Sequence, residues 1–174
     1  MVRVHVKPGD DSGGNEFLYE CQSNLLIEEV TSEVVQIFNL QSQIHRLVSE
    51  LQPRLLPFYG DPKATPLLRA LSEAKSYASK DMVIHNRPLS YLVLRHHFET
   101  IERELAAKFD LLGVSGSTHY QQLLSDVGLL SEDTTQLKLA GKELMREKQL
   151  SDYVGRNEKT KIVLKLQPKI MPPS

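Results

Sequence analysis

Alternating apolar residues at the two ends of the chain constrain the fold more than any other feature of the sequence. Every second residue from Val2 to Val6 is a valine, and every second residue from Ile162 to Leu166 is an isoleucine or a leucine. A period of two is typical of a β-strand with one buried face. The sequence therefore predicts a strand near each end of the chain, with both strands in one layer over a shared core.

A second strand is predicted close behind the first. Residues 16–21 place Phe17 and Tyr19 on one face, and residues 8–14 between the two strands are rich in proline, glycine and aspartate. Such a loop joins two strands of a β-hairpin. The glycines of the loop lack the Gly-Lys-Ser/Thr ending and the following helix of a phosphate-binding loop. We therefore favour a hairpin loop over a phosphate site.

The first predicted helix follows this hairpin. Ser23 or Asn24 is a suitable N-terminal cap, and the apolar residues that follow recur at helical spacing. We expect a break near Asn39, after which the helical pattern resumes and stops at Pro53. The stripe of this helix consists of Ile27, Val30, Val34, Ile37 and Phe38, then Ile44, Leu47, Val48 and Leu51.

Three further helices are predicted in the middle of the chain. Residues 53–66 contain four prolines and one glycine, and they are expected to form a loop. One helix then begins at Pro66 and another follows Pro88. A last helix is expected after Ser131 and continues to about Tyr153, with Gly155 as its C-terminal signal.

This order of elements predicts an α+β fold. A hairpin whose first strand pairs with the last strand of the chain, with a helix across one face, follows the ubiquitin-like (β-grasp-like) plan. The large helical insertion would then lie between these parts of the sheet. The predicted organisation has an N-terminal hairpin and helix at 1–52, a helical subdomain at 53–155, and a C-terminal strand with its tail at 156–174.

No motif for catalysis, cofactor binding or metal binding stands out. The chain has a single cysteine, Cys21, which excludes an intramolecular disulfide and a cysteine-based zinc site, and it is expected to be a buried hydrophobic residue. His96 and His97 are adjacent, so they point about 100° apart on a helix, and His96 with Glu99 lacks an evident third ligand. A dispersed Ser/His/Asp triad remains open, because its members come from any part of a sequence. We predict a non-enzymatic protein without a cofactor.

The charge of the chain is unevenly distributed. Residues 138–174 contain nine Lys and Arg against four Asp and Glu, whereas the preceding residues contain 12 against 18. The basic end suits nucleic acid, an acidic protein partner such as tubulin, or a solvated face, but acidic residues interrupt it and few aromatic residues accompany it. Because of these interruptions we expect no nucleic-acid partner. We also expect no membrane partner, because no apolar run approaches the roughly 18 residues of a membrane span and the N-terminus turns polar too early for a secretory signal.

Several segments carry a resemblance to a known family. They are KELMREKQ at 142–149, LSDYVGRNEKTKIVLKLQ at 150–167, the start MVRVHVKPGDD, EEVTSEVVQIFN at 28–39 and, more weakly, LSEAKSYASK at 71–80. Together they resemble the kurly family of cilia- and flagella-associated proteins, although the stretch before Leu71 is shorter here than in that family. The resemblance implies a non-enzymatic protein of the cytoplasm and the cilium or flagellum. It implies partners in the dynein arm assembly machinery and a role in cytoplasmic preassembly of axonemal dynein arms; the alternative is a structural axonemal component that binds tubulin or a neighbouring axonemal protein.

The most distinctive segment, around residues 151–161, also supplies the candidate site. In the structural interpretation Gly155 ends a helix and Asn157 bonds its own backbone in a turn. In the functional interpretation the segment is a corner onto which a partner protein docks. The candidate partner-binding residues are Asp152, Tyr153, Arg156, Asn157, Glu158, Lys159 and Lys161.

Overall fold

The computed structural model describes residues 1–9, 16–107, 130–156 and 159–168. Most of the predicted hairpin loop, residues 10–15, lies outside these ranges. In chain order the elements are β1 (Val2–Pro8), β2 (Phe17–Cys21), α1 (Ile27–Leu55), a 3-10 helix (Leu56–Phe58), α2 (Thr65–Tyr77), α3 (Asp81–Ile84), α4 (Tyr91–Ala107), β3 (Thr135–Leu139), β4 (Lys142–Glu143), α5 (Ser151–Val154) and β5 (Lys161–Pro168).

The chain forms two compact units. The sheet unit contains Met1–Asn39, Lys80–Ser90 and Leu130–Ser174. The helical unit contains Leu40–Ser79 and Tyr91–Leu129, so α1 contributes to both. The domain boundaries predicted from the sequence, at residues 52 and 155, stay a prediction.

The sheet unit is built on a five-stranded mixed sheet with the order β2-β1-β5-β3-β4. β1 is antiparallel to β2 and parallel to β5, with Val4 opposite Ile162 and Val6 opposite Leu164. β3 is antiparallel to both β5 and β4. A central parallel pair between two hairpins is the arrangement of a ubiquitin-like sheet. The predicted fold class is confirmed, and so is the expectation that both terminal strands share one layer.

The alternation of the terminal strands corresponds to an inner and an outer face. Val2, Val4 and Val6 are at most 1% exposed, and Leu164 and Leu166 at most 2%. The same core takes in the N-terminal half of α1, whose buried stripe is Ile27, Val30, Val34 and Ile37.

A side-chain hydrogen bond also joins the sheet to α1. The Tyr19 hydroxyl of β2 donates a hydrogen bond to the Glu33 carboxylate of α1. Burial, followed by the neighbouring Glu33 carboxylate, raises the pKa of Tyr19 far above its ordinary value. The phenol therefore stays protonated and acts as a hydrogen-bond donor between strand and helix.

The predicted breaks in α1 were wrong. The helix runs without interruption from Ile27 to Leu55 and includes Pro53 in its last turn, where only two helical residues follow the missing N–H of the proline. Because α1 begins at Ile27, Ser23 and Asn24 both lie before its N-cap position. The N–H groups of Ile27 and Glu28 donate instead to the carbonyls of Lys148 and Arg146, at 2.8 and 3.1 Å.

The helix predicted between Ser131 and Tyr153 was also wrong. This segment forms the β3–β4 hairpin and the single-turn helix α5. Thr135 and Leu137 are buried on alternate positions of β3, which is strand periodicity. The apolar spacing of this segment suggested a helix, but the segment forms a hairpin. β3 of the hairpin pairs with β5, and the residues after β4 bond the start of α1.

The helical unit confirms the remaining helix predictions. Pro66 lies in the first turn of α2, and α4 follows Pro88 after a short gap. α2 packs against α4. Their buried residues are Leu67, Ala70, Leu71 and Ala74 on α2 and Leu94, Ile101 and Leu105 on α4. In the described part of the chain, no helix has the length and apolar composition to cross a membrane.

Candidate partner-binding corner

The candidate site lies in the sheet unit, on the segment that leads from β4 through α5 to β5. Leu150 is fully buried and fastens this segment to the residues before α1. Its N–H donates to the Leu25 carbonyl at 2.9 Å, and the Ser151 N–H donates to the Ser23 carbonyl at 2.7 Å. The segment therefore has a fixed backbone at its base.

The candidate residues Asp152 and Tyr153 accept internal hydrogen bonds. The Asp152 carboxylate accepts the N–H of Gln149 at 2.9 Å, and the Tyr153 hydroxyl accepts the N–H of Met145 at 2.8 Å. Both contacts stabilise the turn that precedes α5. Each bond gives an acceptor to a backbone N–H group that has none in a regular helix or strand.

Two cationic side chains also lie near the ring of Tyr153. The ammonium nitrogens of Lys142 and Lys148 lie 5.7 and 6.0 Å from the centre of its ring, which is cation–π range. Met145 adds an apolar neighbour that is 47% exposed. The structure therefore places an aromatic ring, two lysines and an exposed methionine in one small area.

The remaining candidates are exposed or lie outside the described residues. Arg156, Lys159 and Lys161 are exposed, with Lys161 as the first residue of β5 opposite Arg3. Gly155, with a φ of 79°, ends α5 as expected from the sequence and turns the chain toward β5. Asn157 and Glu158 are not among the described residues. Partner docking at this corner stays a prediction.

A groove that the sequence did not predict lies beside the start of α1. Its volume is about 580 Å3, and five carboxylate side chains surround it together with one arginine. Arg146 is oriented by the carbonyls of Thr135, at 2.7 Å, and Glu132. The carboxylates come from two segments about a hundred residues apart in sequence, so only the fold brings them together. They are Glu28, Glu29, Glu33, Glu132 and Asp133.

The residues weighed for chemistry do not converge. Cys21 is buried, as predicted for a hydrophobic residue. His97 lies 5.3 Å from Tyr77, ring centre to ring centre, and burial, followed by the neighbouring His96, lowers its pKa. Among the described residues, no group of three or more His, Cys, Asp or Glu has an arrangement that would hold a metal ion.

Comparisons with known proteins identify the relatives of this chain. The family described as cilia- and flagella-associated protein 298 matches residues 135–174. Among curated proteins, cilia- and flagella-associated protein 298-B of Xenopus laevis is 28% identical, over 96% of this chain and 75% of its own length. The Mus musculus and Homo sapiens proteins of the same name are 26% and 25% identical, each over 96% of this chain and 76% of its own length. No solved structure matches significantly.

The alignments also show a difference in length. The match to the Xenopus laevis protein spans 216 residues, more than the 174 of this chain, so that relative has additional residues within the aligned region. The family match covers β3, β4, α5 and β5, the segment that contains the candidate corner. Relatives of one name therefore align with nearly the whole chain at 25–28% identity, and the chain is similar to the family of cilia- and flagella-associated protein 298.

Proposed function

We propose that this protein is a non-enzymatic ciliary factor that acts in the cytoplasmic preassembly of axonemal dynein arms. The observation that carries the proposal is the match of residues 135–174 to a family named for cilia and flagella. The same segment contains the corner around Tyr153. The protein would work in the cytoplasm and in the cilium or flagellum, with proteins of the assembly machinery as partners and without nucleic acid or membrane.

The form of the corner supports a protein-binding role. Its base is fixed by backbone hydrogen bonds to Ser23 and Leu25, while Arg156 and Lys159 occupy exposed positions. Rigid presentation lowers the entropy lost on binding. Exposed arginine and aromatic side chains on such a support are typical of residues that contribute most to protein interfaces.

Substitution of the exposed cations tests the corner. We expect Arg156→Ala/Lys159→Ala to reduce co-purification of dynein arm assembly proteins from ciliated cells and to leave the melting temperature unchanged. The matched control is Lys63→Ala/Lys75→Ala, which removes the same charge from exposed positions of the helical unit. Equal recovery of partners by the variant and by wild type would exclude docking at this corner.

The alternative is a structural axonemal component, which the net positive charge of the C-terminal segment favours because the surface of tubulin is acidic. Fractionation separates the two functions. An assembly factor is recovered in the detergent-soluble cytoplasmic fraction, whereas a structural component stays with salt-washed axonemes. Recovery of most of the protein in the washed axonemes would reject the assembly role.

A further inference from the structure

The outer face of the sheet carries a row of lysines in direct register. Lys7 of β1 lies opposite Lys165 of β5, and Lys165 lies opposite Lys138 of β3. Residues opposite each other on neighbouring strands project from the same face. Three positive charges therefore cross the three central strands side by side.

This arrangement is unfavourable for the isolated protein. Like charges directly opposite each other destabilise a sheet. Within the described residues, none of the three lysines has a carboxylate oxygen within 4.0 Å. The next residue of the row is Glu143, opposite Lys138 on β4, but its carboxylate lies 2.8 Å from the side-chain amide of Gln136.

Neighbouring rows on the same face contain matched pairs. Arg3 of β1 donates to the Glu20 carboxylate of β2, with its Nε at 3.0 Å. His5 of the next row lies 2.8 Å from the carboxylate of Glu16, the residue before Phe17, which by register continues the line of Lys7. The unmatched lysines are thus a local feature of one row and not a general property of the face.

We propose that the lysine row, Lys7, Lys138 and Lys165, binds an acidic segment of a partner protein. The bound carboxylates would remove the repulsion that the free sheet tolerates. Val163, 46% exposed on the same face of β5, offers an apolar contact beside the row. The surface is distinct from the corner at Arg156 and Lys159, so the inference goes beyond the proposed function and does not depend on it.

The spacing of the row and its surroundings favour a protein segment. Neighbouring strands are about 4.8 Å apart, close to the roughly 5–6 Å between side chains one turn apart on a helix. An acidic helix laid across the strands would therefore bring one carboxylate to each lysine. No outward-facing residue of the described strands is Phe, Tyr or Trp, whereas single-stranded nucleic acids are usually held by aromatic stacking.

A peptide-binding experiment tests the proposal. The probe is a fluorescein-labelled helical peptide with glutamates at positions i, i+4 and i+8, and binding is measured by fluorescence anisotropy at low and at physiological salt. We expect Lys7→Gln/Lys138→Gln/Lys165→Gln to bind about tenfold more weakly, which corresponds to about 1.4 kcal/mol. Wild-type binding should weaken as salt rises. The matched control is Lys63→Gln/Lys75→Gln/Lys80→Gln, which removes three charges from exposed positions outside the strands.

The melting temperature gives a second readout. If the lysines repel one another in the free protein, the triple substitution on the sheet raises the melting temperature while it weakens peptide binding. A lower melting temperature would assign the lysines a structural role and overturn the proposal.

Three further outcomes would contradict the proposed occupant. They are equal peptide binding by the two triple variants, and tighter lysine-dependent binding of either phosphatidylserine vesicles or a single-stranded oligonucleotide of equal charge. Arg156→Ala/Lys159→Ala should retain peptide binding, so failure at the corner and failure at the lysine row remain distinguishable.

Discussion

A single asparagine shows how one side chain connects distant parts of the sheet unit. Asn39 lies within α1, and its amide group bonds both backbone groups of Leu130: its Nδ2 donates to the carbonyl and its Oδ1 accepts the N–H, each at 2.9 Å. The sequence suggested a helix break at this residue. The helix continues because the side chain bonds a distant backbone and does not compete for its own.

Removal of this amide should destabilise the sheet unit. Asn39→Ala leaves two backbone groups of Leu130 without their partner, and we expect a loss of about 1–3 kcal/mol in the free energy of unfolding. Urea unfolding followed by circular dichroism measures the change. Asn24→Ala, at an exposed position, should stay within about 0.5 kcal/mol, and a similar loss in both variants would contradict this role of Asn39.

His45 should make the helical unit sensitive to mild acid. Its Nε2 lies 3.0 Å from the Ala78 carbonyl, and burial lowers its pKa below the ordinary value of about 6.5. The unfolded chain therefore binds a proton more readily than the folded chain. The stability contributed by neutral His45 is fully present above about pH 6.5 and is lost as pH falls toward the lowered pKa.

We expect the melting temperature of wild type to fall between pH 7.5 and 5.5, and that of His45→Gln to fall less. Glutamine retains a donor for Ala78 but does not titrate. His85→Gln, which replaces an exposed histidine, serves as the control and should follow wild type. An unchanged pH dependence in His45→Gln would exclude this histidine as the source.

Among the elements, the β3–β4 hairpin differs most from the sequence prediction. Its two-residue loop consists of Ala140 and Gly141, with φ angles of 51° and 84°. Positive φ at both central residues is characteristic of a type I′ turn, which usually contains Asn-Gly. Alanine is uncommon at the first position of such a turn, so the sequence indicated the turn only weakly. The following glycine and the alternation of β3 were nevertheless visible in the sequence.

The turn should respond in opposite directions to two substitutions. Ala140→Asn is expected to stabilise the protein by up to about 1 kcal/mol, because asparagine tolerates the left-handed conformation better than alanine. Gly141→Ala should destabilise it by about 1 kcal/mol. An added Cβ at Gly141 would contact nothing within 4 Å, so its effect is conformational and not steric. Thermal unfolding measures both, and a shift of the same sign in the two variants would contradict the assigned turn.

At the scale of the whole sheet unit, β5 is the strand on which the assembly depends. It lies between the β1–β2 hairpin and the β3–β4 hairpin, and it pairs with both β1 and β3. A two-stranded hairpin alone is only marginally stable in water. The last described strand of the chain therefore joins two hairpins that would otherwise lack a common sheet.

Two neighbouring residues of β5 should differ sharply on truncation. Leu164 is fully buried, whereas Val163 on the opposite face is 46% exposed. Leu164→Ala should cost about 2–5 kcal/mol through lost burial and a residual cavity, and Val163→Ala should change stability by less than about 1 kcal/mol. Chemical denaturation compares the two directly. Comparable losses of stability in the two variants would contradict the assignment of Leu164 to the buried face and Val163 to the exposed face of the sheet.

The sequence by itself determined the strands and helices whose periodicity repeats over several residues. The alternation in β1 and β5 and the stripes of α2 and α4 were sufficient, because side chains on one face of an element recur at a fixed interval. The same alternation, with the order of the elements, led to the ubiquitin-like sheet. Exposure of Arg156, Lys159 and Lys161 at the candidate corner followed from their charge.

Only the tertiary structure decided the features that depend on distant partners. The continuity of α1 at Asn39 depends on a bond to Leu130, and the cap of α1 depends on the carbonyls of Lys148 and Arg146, so both features join segments far apart in sequence. The lysine row likewise depends on the register of three strands. Local periodicity indicates which face of an element is buried, but it does not indicate which residue of another element lies opposite.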